Sequence, residues 1–226
     1  MGYILCLNSA EDVIQVAICE NNKLLVGMEA LSKKKGVVLL PKMVKQCLEV
    51  AKLDVSNIER ISVVVGPGSF TGIRIAISYA TGLAYGLNLS LGAINYLALL
   101  AQNAFFAVQG EVYVLTSAKI NMVNMQGFSG PLPFKHITDP VAIPLNKIDK
   151  IVPQNAYVLG SGVRNYLDLF EKQRILDPFF DKPSLESLAL LSSQCEYSPN
   201  PPTPLYLRAS DAEENLPNIL KKRGLK

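Results

Sequence analysis

The chain has 226 residues, 49% of them hydrophobic and 18% charged, with a formal net charge of +3. That length holds one large domain or two lobes of about 100 residues each, and so small a charge gives no independent case for nucleic-acid binding. The charged share lies below the soluble average of about 25%, which favours an oligomer or a subunit of a complex over a solitary monomer.

Residues 1–9, 13–19 and 23–31 are apolar, β-branched runs separated by the polar turns Ala10-Glu11-Asp12 and Asn21-Asn22, and so read as three antiparallel strands. A helix follows. Leu40, Met43, Val44, Cys47, Leu48 and Ala51 recur at helical spacing, Pro41 suits the first turn, and Lys42, Lys45, Gln46, Glu49 and Lys52 take the wet side. Residues 61–65 form a buried strand and 73–86 a proline-free helix, followed by a strand at 89–94 and a helix at 96–107. A thinner second copy begins at Glu111, with strands at 112–117, 119–128 and 134–137 and a proline-broken loop at 130–153. Residues 157–159 are a strand running into Gly160-Ser161-Gly162, with helices expected at 163–172 and at 184–194, the latter capped by Ser184. A proline-rich linker at 198–204 and a short extended element, Leu205-Tyr206-Leu207-Arg208, precede a basic tail.

Between strand 61–65 and its helix lies Gly66-Pro67-Gly68-Ser69-Phe70-Thr71-Gly72. Glycines before a helix invite a phosphate-loop reading. Their G-x-G-x-x-x-G spacing matches neither the dinucleotide fingerprint nor the G-x-x-x-x-G-K-[ST] loop, so a structural turn with Ser69 or Thr71 as helix cap is the simpler reading. In the helix, Gly72, Ala76, Ala80 and Ala84 make a small-residue stripe beside Ile73, with Arg74 the only charge. A helix apolar all round is buried on more than one side. The stripe is therefore either the seat of a partner helix or part of an ordinary central core.

The run from Val65 through Arg74, seven residues of it matching consecutively, resembles the signature of the bacterial TsaB (YeaZ-type) family, which works in making threonylcarbamoyladenosine in tRNA. The resemblance implies an α/β fold of two actin/Hsp70/sugar-kinase-like lobes, each built on a βββαβαβα core with the second copy reduced. The domains expected are 1–108, 109–197 and a tail at 198–226. Leu39-Leu40-Pro41, Gly160-Ser161-Gly162 and Pro204-Leu205-Tyr206-Leu207-Arg208 resemble further family patterns. Departures stand elsewhere: Asn8-Ser9 replaces an Asp-Thr strand end, Lys35-Gly36-Val37 a His-Ser-Glu, and Ser117-Ala118-Lys119 an Asp-Ala-Arg. An amide does not hold Mg²⁺ as a carboxylate does, so intrinsic ATP hydrolysis is not expected.

The residues offer no catalytic constellation. The single histidine, His136, sits in a proline-rich loop, no serine lies in a G-x-S-x-G elbow, and Glu213-Glu214 reads as solvated charge. Cys6, Cys19, Cys47 and Cys195 form no C-x-x-C pair and read as buried free thiols of a reducing compartment. With no signal peptide and no uninterrupted apolar run of about 18 residues, a cytoplasmic protein without a membrane span is expected. The resemblance implies a non-catalytic subunit supporting a larger catalytic paralogue, TsaD, which transfers threonylcarbamoyl to position 37 of ANN-decoding tRNAs. No peptidase activity is implied. A TsaE ATPase is the further partner, tRNA is met only through the complex, and ATP and metal belong to the partner subunits. The expected interface is Leu40, Met43, Val44, Cys47, Gly72, Ile73, Ala76, Ala80 and Ala84, which a second copy would occupy when the partner is absent. Arg74 makes a charged contact beside that patch or points to water. The alternative is an ATP-dependent kinase-like enzyme of the same superfamily. Lys33-Lys34-Lys35 and Lys221-Lys222-Arg223 read as solvated basic ends, with tRNA contact by the tail left open.

Overall fold

The computed structural model describes residues 2–32, 36–130 and 132–208. The basic clusters at 33–35 and 221–223, Glu213-Glu214 and the rest of the tail lie outside the described residues.

The first half runs β1 (Tyr3–Asn8), β2 (Val13–Glu20), β3 (Lys23–Leu31), α1 (Gly36–Ala51), β4 (Ile58–Gly66), α2 (Phe70–Leu87), β5 (Ser90–Asn95) and α3 (Tyr96–Phe105). The second runs β6 (Glu111–Lys119), β7 (Met122–Ser129), β8 (Lys135–His136), β9 (Val141–Pro144), α4 (Ile148–Ile151), β10 (Tyr157–Leu159), α5 (Ser161–Asn165), β11 (Arg174–Ile175), α6 (Leu185–Gln194) and β12 (Tyr197–Ser198). Set aside β8 and β12 and the order βββαβαβα appears twice. The two sheets repeat the same pairing: β4 joins β1 in parallel as β10 joins β6, and β2 joins β1 antiparallel as β7 joins β6. The fold is the expected α/β architecture with a reduced second copy, whose helices α4 and α5 shrink to four and five residues.

Each repeat lends its last helix to the other's sheet. α3 packs on β6 and β7, α6 packs on β1, β2 and β3, and the two helices touch between the sheets. Every residue of α3 from Tyr96 to Ala104 is buried. The segment 185–197, placed in the second lobe by sequence, thus lies on the first sheet, and β12 closes that sheet's edge against β5. The physical reason is area. Leu188, Ala189 and Leu191 have a second apolar layer to fill only between the sheets.

On the outer face of the first sheet, α1 packs on β2 and β3 while α2 packs on β4, and the two helices lie side by side. Two local expectations change. The helix expected at 163–172 is one turn of α5 followed by a 3₁₀ turn at Leu167–Leu169, and Lys119 ends β6 rather than opening β7, because the hairpin turns at Ile120 and Asn121, the latter at φ 61°. No helix among the described residues is long and apolar enough to cross a membrane.

Candidate partner-binding surface and interlobe cleft

The glycine turn at 66–72 is spent on the chain's own hairpin. Ser69 N donates to Ala10 O at 2.6 Å, and Ser69 Oγ accepts from Gly72 N at 3.2 Å as the cap of α2. A Cβ at Gly68 would overlap the Ala10 carbonyl, and one at Gly72 the Ser9 carbonyl. These two glycines serve close backbone approach, which seats the β1–β2 turn on the start of α2. Asn8 is equally engaged: its Nδ2 donates to Gln15 Oε1 and its Oδ1 accepts from Ala10 N, both at 3.0 Å.

Between the lobes, this turn, the β1–β2 turn and Ser117 and Ser161 of the second lobe line a cleft of about 660 Å³. Its described lining carries two carboxylates, Glu11 and Asp12, and no lysine or arginine. The Ser69 amide and the Asn8 side chain, both at this end of the cleft, are already bonded within the chain. Glu11 bridges the lobes, accepting from Ser161 Oγ at 3.4 Å. Burial, with the charge of Asp12 added, pushes its carboxyl up to about 7. On the far side Gly160 N donates to Asp181 Oδ1 at 2.6 Å, and Arg164 pairs with the same carboxylate.

The outer helices place the expected interface residues differently. Leu40, Met43, Val44 and Cys47 of α1 are buried against the first sheet, with Cys47 Sγ donating to Val16 O. Ile73, Ala76, Ala80 and Ala84 are likewise buried, and half-buried Gly72 holds the Ser9 carbonyl. The small-residue stripe therefore faces this chain's own sheet, which it lets α2 approach closely. A helix turns about 200° over two residues, so the opposite face begins at Ser78 and continues through Gly82 and Gly86. All three are exposed, and a Cβ at either glycine would meet nothing within 4 Å. Beside them Tyr85 is 92% exposed, and on α1 Val37, Val38 and Val50 stand out at 57–67%. A mostly apolar groove of about 590 Å³ runs between the helices, lined by Val37, Leu40, Pro41, Thr71, Arg74, Ile75, Ser78 and Tyr79. Of the expected interface only Leu40 reaches its floor. The sequence reading did not weigh the second period-four series of small residues, Ser78, Gly82 and Gly86, which is the exposed one.

Arg74 meets a contact the sequence left open. Its Nε donates to Tyr206 Oη at 2.8 Å, and Tyr206 stacks on Phe70 with ring centroids 4.4 Å apart. Leu205 N donates to Val65 O at 2.8 Å, so residues 205–208 strap across the end of β4. Phe70 also lies under the Arg208 guanidinium, 5.9 Å from the ring centroid. Of the other expected motif-turn residues, Gly66 and Pro67 are buried and Thr71 is exposed at the groove rim. His136 sits exposed on β8, edge-on to Phe128. Cys6, Cys19 and Cys47 are buried free thiols and Cys195 is half-buried.

Comparison with known proteins covers this region and more of the chain. The family model of TsaD, tRNA N6-adenosine threonylcarbamoyltransferase, matches residues 30–129, which include α1 and α2. The chain is similar to the tRNA threonylcarbamoyladenosine biosynthesis protein TsaB of Buchnera aphidicola subsp. Schizaphis graminum, 31% identical over 53% of this chain and 57% of that protein. It is similar to the protein of that name from Haemophilus influenzae, 27% identical over 75% of this chain and 76% of the relative. Against the two first-ranking Buchnera relatives the chain spans little more than half of their length, 57% and 54%. Among solved structures, YeaZ from Pseudomonas aeruginosa superposes with a TM-score of 0.73 at 26% identity, covering 85% of this chain and 91% of that one.

Proposed function

We propose that this chain, a TsaB/YeaZ-type member of the actin-like superfamily, is a non-catalytic subunit of the system that makes threonylcarbamoyladenosine in tRNA. Its task is to bind and support a larger TsaD-type transferase, with a TsaE-type ATPase as a further partner and ANN-decoding tRNA reached through the complex. The observation that carries this reading is the outer face of α1 and α2. An apolar groove is flanked by exposed Val37 and Tyr85 and by the close-approach stripe Ser78, Gly82 and Gly86. Such a face suits a helix pair of the same design, because small residues let backbones approach while the groove takes the partner's larger side chains. A match of the transferase family model across these helices supports a paralogous partner built alike.

A second reading is a homodimer through the same face, in which exposed apolar side chains of one copy, such as Val37 and Tyr85, would meet the groove of the other. The kinase-like alternative is disfavoured by the amide at Asn8, already bonded to Gln15 and Ala10, and by the Ser69 amide already bonded to Ala10. Light scattering on this chain alone and mixed with its host's TsaD-type paralogue tests the proposal. A mixed complex formed at the expense of a homodimer is expected. A monomer in both runs overturns the reading.

A further inference from the structure

Arg74 is the only charged side chain among the residues lining the α1–α2 groove. Its guanidinium is held from behind. Nε donates to Tyr206 Oη at 2.8 Å, and the Phe70 and Tyr206 ring centroids lie 6.0 and 5.7 Å from it. The outer nitrogens, Nη1 and Nη2, take no hydrogen bond or ion pair among the described residues, and the side chain is exposed. A planar fork is thus fixed at Nε and open at its outer end, the edge that meets a carboxylate with two parallel bonds. The helices around it add to the positive charge: the described α1 and α2 carry Lys42, Lys45 and Arg74 against the single carboxylate of Glu49.

We infer that Arg74 is the specificity anchor of this face: it pairs with an aspartate or glutamate of the TsaD-type paralogue, and that pairing favours the mixed complex over the homodimer. The inference rests on the partner reading above and adds the partner's chemistry to it. Whatever closes over the groove takes water from the guanidinium, and a cation desolvated without an acceptor opposes association. A second copy has little to offer. Its one carboxylate on these helices, Glu49, already stands 3.7 Å from Lys45 of its own chain. Two copies face to face therefore bring cation toward cation, whereas a paralogue with an unpaired carboxylate at this point gains where the homodimer loses. The apolar groove gives both assemblies their area, and Arg74 separates them.

Calorimetry on the full chain, alone and with its host's TsaD-type paralogue, tests this through Arg74→Gln. The mixed complex should weaken at least about thirtyfold, while self-association holds or tightens. Tyr206→Phe removes the same bond to Nε but keeps the fork, so it should bind the paralogue within about fivefold of the parent. Each Asp and Glu on the paralogue's facing helices is then replaced by its amide, against the parent and against Arg74→Gln. One replacement should cost at least about tenfold against the parent and nearly nothing against Arg74→Gln. Equal weakening of both assemblies by Arg74→Gln overturns the pairing, as does the lack of any carboxylate coupled to Arg74 by more than about twofold. In either case the mixed complex still forms with the parent, so the partner reading stands. No complex with the parent overturns both.

Discussion

Replacing a single outward glycine with glutamate separates the two faces of α2. At Gly82 a side chain would enter open space, and exchanging an exposed helix glycine for glutamate relieves about 0.5–1 kcal/mol of backbone cost. The melting temperature of Gly82→Glu should therefore hold or rise by about 1–3 °C. Inside an assembled interface the same carboxylate loses its water opposite an apolar face, at a cost of about 2–4 kcal/mol. At 1.4 kcal/mol per decade, the Kd for the TsaD-type paralogue should rise between about thirtyfold and several-hundredfold. Ala76→Glu makes the converse test. Ala76 is fully buried against the sheet, so an unpaired charge there should destabilise the fold by about 3–5 kcal/mol, a drop of roughly 6–20 °C. Circular-dichroism melting reads the fold, and calorimetry with the paralogue reads the interface. Should Gly82→Glu bind within about threefold of the parent, or Ala76→Glu melt like the parent, the assignment of faces is wrong.

Glu11 gives a pH signature. Its folded carboxyl is raised from the ordinary 4.5 to about 7, so the folded state holds a proton that the unfolded state has released. The resulting stability is fully present below about pH 4.5 and is lost as pH rises through 7, by no more than about 3 kcal/mol and, after solvent screening, about 1–2 kcal/mol. Urea titrations across pH 4.5–8 should show Glu11→Gln with a flatter profile and higher stability at pH 8 than the parent; parallel profiles would refute the buried carboxyl. At the strap, Tyr206→Phe removes the bond from Arg74 and should cost about 1 kcal/mol, while Tyr206→Ala also removes the stack on Phe70 and should cost about 1 kcal/mol more. Protease cleavage after Arg208 should accelerate in the same order, and equal rates in the two variants would show that the ring stack does not hold the strap.

The three opening strands, the α1 spacing and the βββαβαβα order of the first half were legible because each is written locally, in alternation or period; the cap of α2 was narrowed only to Ser69 or Thr71, and α4 and β11 of the second half were not read. The glycine turn was legible as structural from its spacing. Its cause was not: the carbonyls that press on Gly68 and Gly72 belong to Ser9 and Ala10, some sixty residues earlier in the chain. Nor does spacing reveal that Glu11 meets Ser161, or that Tyr206 meets Arg74, since those contacts join distant segments.

The sequence by itself determined that α2 carries small residues every fourth position and needs cover on more than one side. It also determined that the chain carries a single histidine, His136, in a proline-rich stretch. Only the tertiary structure decided which face the sheet takes. Two small-residue series run along α2 on opposite sides, and local periodicity treats them alike. The series that includes Ile73 and three alanines gains more by packing on β4, because alanine buries apolar area there while still allowing close approach. Serine and two glycines, with little apolar surface to bury, are left facing outward beside the groove.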